Sequence, residues 1–298
     1  MKIELINTKR LTDFPSGSSM EFYNNILYLV GDDAEKLLML DKNYNAINAV
    51  TLFDNKEYRI PKKKKADLEA SAIIEYKHKK YLLLLGSASK EKREKVLLMA
   101  LDENDHHDFE IIKTDVFVKK LEAAGVEEVN IEGATGIGDN LILSNRGNKN
   151  HPDNLLIKTS ACFFEHQDKA ALHTSLLDIN KSCETTAGIS GLCYSPFNDT
   201  LFFTASTELT NNAVDDGEIG DSFLGMVYHI SEKLMNKIID PDIIINLSKA
   251  NPAFSGEKIE SICIERHDNQ GIIFHLVSDN DDGKTGLYKI AVTGSMHS

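Results

Sequence analysis

The chain has 298 residues, 42% of them apolar and 27% charged, enough to bury a full core as one large domain or two ordinary ones rather than to remain a tail or linker. A formal charge of −13 works against binding to a phosphate backbone, whose affinity comes from counterions displaced around basic clusters, so nucleic acid is excluded as a partner. No run reaches the ~20 apolar residues of a membrane helix, and the expectation is a cytoplasmic monomer, off the membrane, that meets a small polar or anionic molecule.

In chain order, Lys2-Ile3-Glu4-Leu5-Ile6 reads as a strand without partners of its own. A first unit follows: Met20-Glu21-Phe22, then Ile26–Gly31 ending in Asp32-Asp33, then Leu37–Asp41, then Ala46–Leu52. The run Lys62–Lys65 after Pro61 reads as a solvated loop face. The second unit has Leu68-Glu69-Ala70, Tyr81–Ser87 and Val96–Asp102. His106-His107 falls in a turn, and good helix formers over Val116–Ala124 before Gly125 predict a short helix.

The third unit runs from Ile131-Glu132-Gly133 through Asn140–Gly147 to Leu155–Ile157, with a fourth run at Ala171–Leu177. The fourth has Ser190-Gly191-Leu192, Leu201–Ser206, Met226–Ile230 and Asp242–Leu247, and it is interrupted by a polar loop over Glu208–Ser222. The fifth has Ile259-Glu260-Ser261, Ile272–Asn280 and Leu287–Ile290, with no fourth strand. Short apolar runs broken by Gly, Asp and Asn mark an all-β chain, and a unit every ~50–70 residues fits a propeller blade with long loops.

The missing last strand and the orphan first strand complete each other. Pairing Ile3–Ile6 with Leu287–Ile290 closes the ring and removes the open edges of a linear stack. The expected fold is therefore a single β-propeller spanning 1–298, with five blades by count. Six would follow only if the Glu69–Glu132 or Gly191–Glu260 interval hides a degenerate blade.

In such a ring the first strands line the channel, so Glu21, Glu69, Glu132, Gly191 and Glu260 are aligned as equivalent positions. Four converging carboxylates repel unless protonated, paired or bridged by a cation. One expectation is a Ca²⁺ or Mg²⁺ site built from Glu21, Glu69, Glu132, Asn145, Glu260 and Asp279, with Asp32, Asp33 and Asn280 nearby. Glu132 and Glu260 would then act as bases and Arg146 would face a developing oxyanion. The alternative is structural: each Glu caps backbone N–H groups or meets a Lys or Arg.

Other motifs subtract functions. Ala187–Gly191 is not G-x-S-x-G, and Gly133–Gly138 leads into strand residues rather than a nucleotide-binding helix. Asp279–Lys284 lacks the glycine position and distal Glu of a calcium loop. His151 is placed near Arg146, while His229 and His275 read as strand residues. Cys162, Cys183, Cys193 and Cys263 have no metal-site spacing and read as buried thiols.

The chain resembles bacterial propellers related to the esterase-like domain associated with phytases. The resemblance rests on Ile131-Glu132-Gly133 with Ser144–Gly147, on Lys258–Ile262 with Val277–Asp281, and on Phe223-Leu224-Gly225. It implies a propeller with a polar upper face and, for some relatives, metal-assisted phosphoester or ester hydrolysis; the acidic site itself would also suit a lactone carbonyl. Gly191 in place of Glu and Ser261 in place of Gly are departures. They leave a non-catalytic ligand- or protein-binding propeller as the second expectation.

Overall fold

The computed structural model describes residues 1–55, 57–101, 107–182, 186–208 and 219–294. After β1 (Lys2–Leu11), the first blade is β2 (Gly17–Tyr23), β3 (Ile26–Gly31), β4 (Lys36–Leu40) and β5 (Ala46–Thr51). The second is β6 (Leu68–Tyr76), β7 (Lys79–Gly86), β8 (Lys95–Ala100) and β9 (Phe109–Lys113). Helix α1 (Asp115–Ala123) leads to β10 (Ile131–Ile137), β11 (Asn140–Asn145), β12 (Leu155–Ser160) and β13 (His173–Leu177). The fourth blade has β14 (Gly188–Ser195), β15 (Thr200–Glu208) and β16 (Ile219–Val227); after α2 (Ile230–Lys233) and β17 (Ile238–Ile239) it is completed by β18 (Ile243–Asn246). Helix α3 (Leu247–Ala250) precedes β19 (Ile259–Asp268), β20 (Gly271–Asp279) and β21 (Thr285–Thr293).

These sheets form a five-bladed β-propeller. Its inner strands pack in the order β2, β6, β10, β14, β19 and back to β2. The ring closes as expected: β1 pairs antiparallel with β21, with Ile3 opposite Val292 and Leu5 opposite Ile290. The two long intervals hold β9 and α1 in one case and β17, β18 and α3 in the other, with no sixth sheet among the described residues. The two residues of β17 instead extend the third blade, parallel to β13.

The unbroken apolar runs follow from packing on both faces of each blade. Alternate residues of one strand feed two different cores. Leu27 and Leu29 of β3 pack toward the fifth blade, whereas Tyr28 and Val30 pack toward the second. In β7, Leu82 and Leu84 join that same cluster while Leu83 and Leu85 join the next. Five interblade cores result, and no axial core is needed.

Two hairpins use two-residue turns with both φ angles positive, Asn24-Asn25 and Lys77-His78, the twist that joins adjacent antiparallel strands without splaying them. Gly225 lies opposite Phe203 in the β15–β16 ladder, and a Cβ there would stand 1.9 Å from the ring's Cζ. Helix α1 starts one residue before the expected Val116 and buries Phe117, Val118 and Leu121 between the second and third blades. Strand β9 carries no strong alternation and went unread in the sequence. His229 corrects another expectation: it is exposed, with φ of 51°, in the turn after β16 rather than in a strand.

Candidate functional site at the channel mouth

Every inner strand begins at the same rim of the channel, and each carries a β-bulge at its second residue or, in β14, its third. The bulged residues are Ser18, Glu69, Glu132, Ser190 and Glu260. A bulge leaves one residue out of the ladder and re-aims its side chain. This corrects the alignment made from sequence. Glu21 lies three residues past the bulge of β2, and Gly191 lies one past the bulge of β14. Ser18 and Ser190 occupy the true equivalents.

The two serines do a structural job that glutamate does not. Ser18 Oγ donates to the Leu68 carbonyl and Ser190 Oγ donates to the Ile259 carbonyl at 2.6 Å, each tying its blade to the residue before the next bulge. Glu21 sits deeper in the channel, beside the buried thiols of Cys193 and Cys263, and burial pushes its carboxyl well above the ordinary range. The structure therefore separates Glu21 from the acids at the mouth.

Those acids arrive from three kinds of segment. Glu69, Glu132 and Glu260 come from the bulges. Asp32, Asp33 and Asp279 come from the ends of second strands, and Asp67, with φ of 56°, immediately precedes β6 and lies two residues before its bulge. Lys65 forms ion pairs with Asp32 and, at 2.7 Å, with Asp67, whose other oxygen meets Arg93 at 2.6 Å and Ser87 at 2.5 Å. Arg59 pairs with Asp33 at 2.5 Å and donates to Ser16 Oγ at 3.0 Å. One ligand atom from each of Asp32, Asp67 and Glu69 lies within 4.8 Å of the other two.

Across the mouth, Arg146 Nη1 stands 3.5 Å from both Glu132 Oε2 and Glu260 Oε2, and Nη2 donates to Ser206 at 2.9 Å. Lys258 holds the other oxygen of Glu260 at 2.9 Å, and Asn130 donates to Glu132 at 2.7 Å. Gly188 is required here by space: a Cβ would stand 2.6 Å from Arg146 Cγ. Arg146 occupies the room that a side chain at that rim position would fill.

Burial dominates the proton affinities. It raises Asp32 to about 6 despite Lys65, with Asp33 and Asp67 adding to the shift, and it raises Glu132 to about 7 against the pull of Arg146. Asp279 also reaches about 7, through burial and then the charges of Asp32, Asp281 and Glu260. Glu69 is pushed well above its usual range by burial, with Asp67 and Glu132 adding repulsion. Lys65 is held charged: burial works to lower it, and Asp32, Asp67 and Glu69 more than offset that.

Asn145 and Asn280, expected to offer oxygens, are engaged with the rim backbone. Asn145 accepts from Asn130 N at 2.7 Å and donates to the Glu128 carbonyl at 3.0 Å, and Asn280 accepts from Lys258 N at 2.9 Å. His151, expected near Arg146, is exposed and pairs with Glu127 at 2.6 Å. Sequence reading missed Arg59, Lys65, Asp67, Arg93 and Lys258. For Asp67 and Lys258 a signal exists, since the positions two before the bulges are Ser16, Asp67, Asn130, Gly188 and Lys258. Lys65 was hidden in a basic run that reads as solvated: Lys62 to Lys64 are exposed, and Lys65 is not.

Cys193 and Cys263 are buried free thiols and Cys162 is a half-buried one. Cys183, His106 and positions 209 to 218 of the polar loop lie outside the described residues. No described helix is long and apolar enough to cross a membrane.

With the rim and its bulges defined, the family follows from a match across residues 13–292. The chain belongs to DUF6929, a family of unknown function. No curated protein matches it. The propeller implied by the phytase-associated resemblance stands, while the family relationship shown is with DUF6929. Among solved structures, the chain is similar to the glutaminyl cyclase of Myxococcus xanthus at 8% identity and a TM-score of 0.55, covering 98% of this chain and 97% of that one. It is also similar to the tail fibre of Staphylococcus aureus phage P68, at 10% identity and a TM-score of 0.50, covering 98% of this chain and 52% of the fibre chain. Both similarities are of fold alone.

Proposed function

We propose that the channel mouth is a cation-assisted hydrolytic site for a phosphoester, ester or lactone. Glu69 carries the reading: it converges with Asp32 and Asp67, and among the described residues it has no hydrogen bond or ion pair of its own. The mouth gathers seven carboxylates, Asp32, Asp33, Asp67, Glu69, Glu132, Glu260 and Asp279, against five cationic side chains among the described residues. A divalent cation matches that excess. Oxygen-only ligands suit Ca²⁺ or Mg²⁺.

In this reading Asp32, Asp67 and Glu69 would hold the cation, which would supply Lewis-acid polarisation of a phosphoryl or carbonyl oxygen and a more acidic water. Glu132, near 7 and therefore divided between its two protonation states at neutral pH, takes the proton. Glu260 and Arg146 position Glu132 and shape the charge around the reacting group, and Asp279 completes the acidic wall. The test is metal analysis of desalted protein together with an ester, lactone and phosphoester panel, run with and without chelator. Absence of a bound cation and of any chelator-sensitive turnover sinks the proposal.

A second reading, a binding propeller without turnover, is favoured by Lys65. Its ammonium already bridges Asp32 and Asp67, as a ligand's amine would. Glu132→Gln separates the two: loss of turnover with the fold intact supports hydrolysis, and unchanged behaviour supports binding.

A further inference from the structure

The Pro61–Ala66 loop and the turn at Glu91–Arg93, far apart in sequence, flank a solvent-open cavity of about 540 Å³ at the rim. Six cationic side chains line it, Lys62, Lys63, Lys65, Lys90, Lys92 and Arg93, against one carboxylate, Glu91. On a chain of formal charge −13 this reverses the prevailing field over one concave surface.

The inner wall is built. Arg93 is 4% exposed and bonds Asp67 and Ser89 through Nη1, at 2.6 and 2.7 Å. Its Nε and Nη2 make no hydrogen bond among the described residues, which leaves one edge of the guanidinium for a ligand. Lys65 is fixed beside it by the same Asp67. Lys63, Lys90 and Lys92 have no carboxylate within ion-pair distance among the described residues. Like charges gathered in a concavity repel until an anion joins them.

We infer that this cavity binds a multivalent oxyanion, the diphosphate or other clustered phosphoryl group of a small molecule. A volume of about 540 Å³ admits a ligand of nucleotide size rather than a bare ion alone. The inference goes beyond the hydrolytic reading, because the cavity needs no metal at the mouth. The two sites share Lys65 and Arg93, so occupancy of one alters the other's charge.

Pyrophosphate is titrated into the full chain by calorimetry at fixed ionic strength, beside the triple variant Lys63→Gln, Lys90→Gln, Lys92→Gln. Those three side chains are exposed and have no ion pair among the described residues, so the fold is expected to persist, with an unchanged melting curve as the check. The expected result is saturable one-to-one binding that weakens tenfold or more in the variant. No saturation at millimolar pyrophosphate, equal binding by the variant, or a preference for polynucleotide over pyrophosphate overturns the inference. Glu132→Gln keeps the two proposals apart. Retained pyrophosphate binding in that variant supports the cavity whatever the hydrolysis panel returns.

Discussion

Strand β19 carries two bulged glutamates five positions apart, Glu260 and Glu265, and they have opposite fates. Glu260 opens into the acid-rich mouth. Glu265 points between the fifth and first blades, where Lys289 meets it at 2.5 Å and His275 Nε2 at 2.8 Å, with Tyr44 on the other ring nitrogen at 2.9 Å. Burial alone would raise Glu265, but hydrogen bonds from His275 and Lys289 bring it down to about 2. Burial keeps His275 below its usual value even beside that carboxylate.

Glu265 is an acid whose donors are all in place, and the mouth acids are not so matched. At Glu265 one carboxylate has its donors in place. At the mouth carboxylates outnumber cations among the described residues, and several rise toward neutrality. Buried acids raised in this way lower stability when ionised.

The largest expected effect comes from breaking the satisfied cluster. Glu265→Ala leaves Lys289 and the His275–Tyr44 pair without their acceptor and should cost about 3 kcal/mol, a fall in Tm of roughly 6–12 °C. Because its folded pKa lies below the unfolded one, the stability Glu265 contributes is present above about 4.3 and is lost as pH falls toward 2. Calorimetry of the variant should show a flatter acid limb than the parent.

Arg146→Met strips the shared cation from Glu132 and Glu260. The expected loss is about 2 kcal/mol at pH 8 and much less at pH 5, because a protonated Glu132 does not need the guanidinium. Equal losses at both pH values would show that Arg146 acts by packing alone.

The parent protein offers a test without mutation. Asp32, Glu132 and Asp279 have folded pKa values of about 6, 7 and 7, above their unfolded values, so their contribution to stability is complete below about pH 4 and disappears as pH rises through 6 to 7. Tm should fall by a few °C between pH 5 and 8, and Glu132→Gln should reduce the slope. A Tm that rises across this interval contradicts the assignment. The smallest effect is expected from cations: millimolar Ca²⁺ or Mg²⁺ should raise Tm by about 2 °C at pH 8, and Glu69→Gln should abolish the rise.

Much of this was legible in the residues. Runs such as Leu82–Leu85 and Leu141–Leu143 read as strands because both faces of a blade are buried, and the lone Ile3–Ile6 strand identified the closure. The pattern Glu followed by a small residue, as in Glu69-Ala70, Glu132-Gly133 and Glu260-Ser261, located three of the five rim positions. The other two were misaligned because the eye follows glutamate, whereas the backbone repeats a bulge that Ser18 and Ser190 also satisfy.

The sequence by itself determined the all-β class, the five units and the terminal strand pairing, because these depend on local apolar runs and on how many of them must share edges. Only the tertiary structure decided which acids meet, that Lys65 leaves its lysine run to bridge Asp32 and Asp67, and that Lys63, Lys90 and Arg93 face one cavity. Charge partners are chosen by loops from different blades arriving at one rim. That convergence is a property of ring geometry, and no short window of residues carries it.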